Sequence, residues 1–322
     1  MRNLRYICVQ PRLVYYAWQV EVMINNFLKN GINPNNIDIC VAYNLNDDTS
    51  NPTTVEMWEK LSSHYSNVRF FFYQDTRVQP IYYISSVRPN ILKQHFEKFP
   101  ELSSEAIFYH DCDIILTKPA NWDRFVNDNI WYLSDTNSYI NHTYITSKGQ
   151  DVYDLMCKIV GIDPLIPKLM NSNSGGAQYI LKNIDSKFWE KVEKDCEELF
   201  HRVNQLNNQK KSQIPNYHEL QIWCADMWSV LWNGWLRGNE TKVVNEMDFS
   251  WATDSETRFY ETNIFHNAGV VSGNAGKFYK ANFRESLPYN VNLDIMEGTA
   301  SYIYFQEIQE TAKKSPLTSN QE

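Results

Sequence analysis

Phe108-Tyr-His-Asp-Cys-Asp-Ile-Ile-Leu-Thr-Lys-Pro119 places two carboxylates, Asp111 and Asp113, between apolar runs. Residues 106–109 read as a strand that ends in His110-Asp-Cys-Asp113. Side chains two apart in extended backbone point to the same side, so both carboxylates can face one hard cation, Mn2+ or Mg2+. A lone Asp-x-Asp is common in solvated turns. Enclosure by apolar residues makes such a turn a poor account of this one, because carboxylates brought inside need a partner. In an open α/β sheet, ligands bind beyond the carboxyl ends of the strands, and the pair falls just past such an end.

The preceding residues alternate short apolar runs with amphipathic stretches, the pattern of βα units feeding a mostly parallel sheet flanked by helices. Strands are expected at 6–9, 37–43 and 68–73, and helices at 13–30, 54–65 and 89–99. In the first helix Val20, Met23, Ile24, Phe27 and Leu28 recur at helical spacing, and Gly31 follows where a terminating glycine is favourable. After residue 120 a strand at 130–133, a helix at 151–160, an Asn/Ser/Gly loop at 171–176 and helices at 187–206 and 219–232 are expected. The polar segment 204–213, with Lys210 and Lys211, reads as a solvated loop, and a strand ends at Ile264-Phe-His266. No internal repeat or low-complexity linker appears, so 1–313 is taken as one unit and 314–322 as a disordered tail.

A net charge of -8 disfavours nucleic acid as a partner, since phosphate backbones demand clustered Lys and Arg. The six cysteines are widely spaced without a Cys-x-x-Cys pair and read as free thiols of a reducing compartment. No stretch reads as a signal peptide or a transmembrane segment, and a cytoplasmic location is expected. Aromatic residues make up 14% of the chain, enough to stock both a core and binding surfaces.

The 108–119 segment resembles the Asp-x-Asp segment of GT-A nucleotide-diphospho-sugar glycosyltransferases. Three further stretches resemble the glycogenin-like and galactosyltransferase families of that fold, in the same order: Arg88-Pro-Asn-Ile-Leu-Lys93, Asn173-Ser-Gly-Gly-Ala-Gln178, and His266-Asn-Ala-Gly269 with Lys277 after it. The family's Lys-Pro-Trp is Lys277-Phe-Tyr here and lies farther from the histidine. The resemblance implies a GT-A, Rossmann-like sheet, with 1–120 as the nucleotide-binding half and 121–313 as a sugar and acceptor half carrying a helical C-terminal acceptor-side region. It implies Asp111, Asp113 and His266 as ligands of Mn2+ or Mg2+. It also implies donor contacts from Arg88, Lys93, Asp111, Cys112, Asn173, Gly175, Gly176 and Lys277. By position in such a fold, Gln10 and Pro11 would meet the nucleotide base, and Asp75 the base or ribose. Asp226, in Ile222-Trp-Cys-Ala-Asp-Met-Trp228, is the best acceptor-side carboxylate, with Gln178 as a second residue that stabilises or positions the sugar.

The implied activity is metal-dependent transfer of a hexose or related sugar from a nucleotide diphosphate sugar, UDP-sugar in preference. Retention is expected because families with a C-terminal His ligand are mostly retaining. The acceptor stays open among a glycan, a protein, a lipid head group and a modified base. Two other readings stand beside it: a sugar-1-phosphate nucleotidyltransferase, which would want a glycine-rich basic loop where Gln10-Pro-Arg-Leu-Val14 stands, and a non-catalytic sugar-binding protein on the same fold. Helical spacing puts Trp228, Trp232 and Trp235 on one face as core, with Trp223 and Asp226 on another. Because clustered acidic ligands repel without their ion, Asp113→Asn and His266→Ala are each expected to leave the melting temperature of the metal-free protein nearly unchanged or raised.

Overall fold

Ten strands carry the fold in the computed structural model, which describes residues 2–318: β1 (Leu4–Pro11), β2 (Ile37–Tyr43), β3 (Arg69–Gln74), β4 (Ala106–Tyr109), β5 (Ile114–Leu116), β6 (Trp131–Leu133), β7 (Tyr179–Lys182), β8 (Thr241–Val243), β9 (Phe249–Trp251) and β10 (Ile264–His266). Seven form a mostly parallel sheet in the order β3-β2-β1-β4-β7-β6-β8, and β5-β10-β9 form a second, three-stranded one. The α/β architecture expected from the alternation is therefore present. The chain divides into two compact units that interleave along the sequence.

One unit holds residues 5–74, His110–Arg124 and, among the described residues, 245–318. Here β1, β2 and β3 run parallel, with Tyr6 opposite Ile37 and Asp38 opposite Arg69. The helices Val14–Lys29 and Pro52–His64 make the crossovers. Asp38, wholly buried on β2, is held by a two-pronged pair with Arg69 at 2.6 and 2.5 Å and by Arg5 at 3.3 Å. Trp18, Phe265, Phe278 and Tyr304 centre the apolar core around the small sheet.

The other unit holds Asp75–Tyr109 and Phe125–Val244 with the first residues of the chain. Its strands run β4-β7-β6-β8, with β7 antiparallel to both neighbours and β6 parallel to β8. The helices Val87–Lys98 and Ala225–Leu236 each pack on Ser186–Gln213, whose Trp189 and Phe188 meet Tyr109 on β4 and Trp131 on β6. Trp228, Trp232 and Trp235 are buried, as their spacing implies, and Gly234 lets Trp131 come close against the helix, since an added Cβ would come within 2.3 Å of its ring. Among the described residues no helix is long and apolar enough to cross a membrane.

Two expectations fail. Residues 204–213 are not a loop but the last turns of the helix Ser186–Gln213, where Lys210 pairs with Asp151 at 2.6 Å and Lys211 with Glu219 at 2.5 Å. Partners distant in sequence give a polar helix end the support that its composition does not advertise. The helix expected at 219–232 begins instead with the 3-10 turn Ile222–Cys224 and runs as Ala225–Leu236. Of the tail set apart at 314–322, residues up to 318 are described and Ser315 is buried; 319–322 lie outside the described residues.

Ser315 owes its place to Glu21, a fully buried carboxyl on the helix Val14–Lys29. Tyr289 and Ser315 donate to its Oε2 at 2.6 and 2.8 Å, and Tyr65 to Oε1 at 3.3 Å. Burial pushes its pKa from 4.5 up to about 7, and the three hydrogen bonds only moderate the rise. A raised acid pKa means that the folded state holds the proton more tightly than the unfolded one. The cost to stability is therefore absent below 4.5, grows as pH rises and is complete above about 7. Urea denaturation should show wild type losing about 2 to 3 kcal/mol relative to Glu21→Gln between roughly pH 5 and pH 8. Parallel pH profiles for the two proteins would contradict this account.

Candidate functional site

The acidic segment leaves the first strands through a turn with its own internal support. The His110 N–H donates to the Ile7 carbonyl at 3.2 Å. The imidazole is buried against Phe27, and its Nδ1 lies 2.8 Å from the Asp111 carbonyl, which makes Nδ1 the protonated nitrogen. Burial lowers this histidine's pKa to about 4, so at neutral pH it is an uncharged brace under the turn. Cys112 points inward: its buried thiol lies near Cys8, and burial raises its pKa well above the usual value.

The chain then enters β5, and the helix Val14–Lys29 fixes it there. The side chain of Asn26 mimics a neighbouring strand, accepting from the Leu116 N–H at 2.8 Å and donating to its carbonyl at 3.1 Å. β5 pairs antiparallel with β10, setting Ile114 opposite His266, and the Asn267 N–H donates to the Asp113 carbonyl at 2.8 Å. Asp113 and His266, far apart in sequence, thereby become neighbours. The Nε2 of His266 lies 3.3 Å from Asp113 Oδ1 and 3.6 Å from Asp111 Oδ2. Trp251, opposite His266 on β9, stacks parallel to the imidazole with ring centres 6.2 Å apart, and Phe249 closes a second side at 5.7 Å.

One atom from each of Asp111, Asp113 and His266 falls within 4.8 Å of the others. Two ligands at right angles on a small divalent ion, each about 2.1 Å from it, stand about 3 Å apart. The separations of His266 from Asp113 and Asp111, 3.3 and 3.6 Å, are close to that. Two carboxylate oxygens and one imidazole, with no thiolate, suit Mn2+ or Mg2+ better than a soft ion. Three protein donors leave positions for water or for the oxygens of a ligand.

Sequence reasoning missed the cation already present. Lys280, at the start of the 3-10 turn Lys280–Phe283, sets its ammonium directly on Asp113 Oδ2. Burial alone would raise the Asp113 pKa, but Lys280 and His266 overcome that and hold the carboxyl well below the usual range. Burial would lower the Lys280 pKa, and Asp113 carries it above its usual value instead. The hint in the sequence is that Lys277 is followed one short turn later by a second lysine; Lys277 itself is half-buried, beside the core residue Phe278. Gln10 and Pro11 end β1 opposite Val41 and Ala42, with Gln10 buried.

The remaining residues expected to act belong to the second unit. Asp226, in the first turn of Ala225–Leu236, lies with its Oδ1 2.7 Å from the Tyr83 hydroxyl and accepts from the Met227 N–H at 3.0 Å, while Oδ2 pairs with Arg88 at 3.2 Å. Arg88 is thus joined to Asp226 in one network, with Tyr83 as a member that no motif announces. Gln178 is fully buried and accepts from the Ser134 hydroxyl at 2.7 Å. Gly175 and Gly176 are required by packing: a Cβ would come within 2.5 Å of the Ser134 carbonyl at the first and of the Tyr179 hydroxyl at the second. The Asn173 carbonyl accepts from Thr241 at 2.9 Å. Asp75 is engaged by Arg77 at 2.7 Å, and Lys93 by Glu190 at 2.8 Å on the surface.

The Lys280 pair argues against the expectation that Asp113→Asn leaves the metal-free protein as stable or more so, because it gives that carboxylate a partner. Asp113→Asn strands a mostly buried ammonium, so in EDTA it should cost about 2 kcal/mol by urea denaturation, while the more exposed Asp111→Asn costs less than half of that. Equal costs would show that Lys280 does not depend on Asp113.

No family profile matches the sequence, and no curated protein matches it. Solved structures similar to the chain include the bifunctional glycosyltransferase WbbM, at 11% identity and TM-score 0.49, covering 98% of this chain. The chain spans 51% of WbbM's length. Mouse xyloside xylosyltransferase 1 is similar at 8% identity and TM-score 0.36, over 85% of this chain and 98% of its own. A mannosyltransferase from Pyrobaculum calidifontis, solved with GDP-Man and Mn2+, is similar at 9% identity and TM-score 0.30, over 73% of this chain and 71% of its own.

Proposed function

We propose that the chain is a divalent-metal-dependent glycosyltransferase of the GT-A type, moving a hexose or related sugar from a nucleotide diphosphate sugar, preferably a UDP-sugar, to an acceptor hydroxyl. The observation that carries this reading is the convergence of Asp111, Asp113 and His266 beside Lys280. A bound ion would neutralise charge on the diphosphate, making it a better leaving group. The chain's own part is to hold that ion with two carboxylates and an imidazole whose ring is fixed by Trp251 and Phe249. In this reading Lys280 exchanges one oxygen of Asp113 for a phosphate oxygen and adds a second positive charge. The acceptor oxygen forms its bond to the anomeric carbon as the bond to the diphosphate oxygen breaks. The electron pair leaves with the nucleoside diphosphate, which on the retaining route takes up the acceptor's proton on the same face. Resemblance to families with a C-terminal His ligand supports retention.

Asp226 serves the acceptor side in this reading, fixed by Tyr83 and Arg88, while buried Gln178 orders the segment that carries Gly175 and Gly176. The sugar-nucleotide-forming alternative is weakened by Arg12, the one basic residue just after β1. Its Nε donates to the Thr49 carbonyl at 2.6 Å and its guanidinium lies over Tyr43. Six free, buried cysteines support a reducing, cytoplasmic setting.

Calorimetric titration with UDP should give tight binding only when Mn2+ is present, because two carboxylates otherwise face the diphosphate with like charge. Equal affinity in EDTA would remove the metal-bridged site. Asp226→Asn should lower kcat for transfer at least tenfold while changing the Kd for UDP and Mn2+ less than twofold, as expected of a group that acts on the reacting centre. Wild-type transfer by a folded Asp226→Asn variant would end its catalytic assignment.

A further inference from the structure

Of the ten tryptophans, Trp223 is the one with an exposed side chain, at 55%. It is nevertheless held firmly. It sits in the 3-10 turn Ile222–Cys224, whose flanking Ile222 and Cys224 are buried. Its indole Nε1 donates to Gln221 at 3.1 Å, and its carbonyl lies 2.6 Å from the Tyr83 hydroxyl, the same hydroxyl that meets Asp226. Its ring stacks near-parallel with Tyr139, with ring centres 6.0 Å apart and an angle of 28°. Leaving so large an apolar ring in water while ordering it forfeits burial free energy, which a ligand can recover.

We propose that Tyr139 and Trp223 are the acceptor platform of the enzyme and that the acceptor is a carbohydrate, its apolar C–H ring face lying on the two rings and its hydroxyls turned to the Asp226–Arg88 network. This names the acceptor class and rests on the glycosyltransferase reading. Two observations select a pyranose over other flat or apolar ligands. The chain's net charge of -8 disfavours a polyanion carrying flat bases. The Asp226 carboxylate and the Arg88 guanidinium, paired at 3.2 Å with the Tyr83 hydroxyl beside them, offer acceptors and donors for vicinal hydroxyls.

Saturation-transfer NMR with methyl β-glucopyranoside, methyl β-galactopyranoside and methyl α-mannopyranoside tests the platform, with uridine and N-acetyltyrosinamide as controls. At least one glycoside should bind wild type with saturation strongest on its ring C–H protons. Trp223→Ala and Tyr139→Ala should each weaken that binding about tenfold, and Trp223→Phe should retain most of it. Melting curves confirm that the variants are folded. Absence of glycoside binding, unchanged binding in folded Trp223→Ala, or stronger binding of either control overturns the proposal. Mn2+-dependent UDP binding by the same wild-type sample separates the two readings: if UDP binds and no glycoside does, the platform fails alone, and if UDP does not bind, the enzymatic reading fails with it.

Discussion

Three antiparallel rungs between β5 and β10, Leu116 with Ile264, Ile115 with Phe265 and Ile114 with His266, decide whether the acidic motif can be a site. Strand register is a two-state matter for side chains, since a slip of one residue turns each to the opposite face. With Ile114 opposite His266, the residue before the strand is Asp113 and the imidazole stands beside it. The register is protected from both directions. Asn26 completes the ladder at Leu116, and the Asn267 N–H caps it at Asp113. Phe265 and Ile115 enter the core with Trp18, Phe278 and Tyr304, so hydrophobic burial opposes any slip.

On this frame the electrostatics are balanced in advance. Two carboxylates brought together repel and would each favour a proton. Lys280 and His266 keep Asp113 ionised despite its burial, so the pair is held in the charge state that a divalent ion needs. Asp111, more exposed, keeps access to solvent. The neutral His110 beneath the turn adds shape without charge. Trp251, parallel to His266 with ring centres 6.2 Å apart, restricts rotation of the imidazole, as an outer partner would for a metal ligand.

Much of this was legible in the residues. Alternating apolar runs gave the parallel strands, the apolar flanks of Asp111 and Asp113 marked them as more than a turn, and helical spacing put Trp228, Trp232 and Trp235 in the core. What stayed hidden depends on contacts between distant residues. Ile114-Ile-Leu116 reads as a mere apolar run, because a three-residue strand has no period to reveal and exists through its partners β10 and Asn26. Lys280 reaches Asp113 through a turn that only the folded chain defines. The helix end carrying Lys210 and Lys211 is secured by Asp151 and Glu219, which composition alone cannot pair with it. Tyr83, which joins Trp223 to Asp226, stands in a loop with no pattern.

The central claim is that Asp111, Asp113 and His266 hold one divalent ion. Electron paramagnetic resonance tests it directly, because free Mn2+ gives a sharp six-line spectrum that broadens when the ion is bound. Titration of wild type should show one site per chain, and His266→Ala, which leaves the carboxylates in place, should weaken it at least tenfold. The same stoichiometry and affinity in both proteins would contradict the account, because the ion would then be held without the histidine that the β5–β10 register delivers.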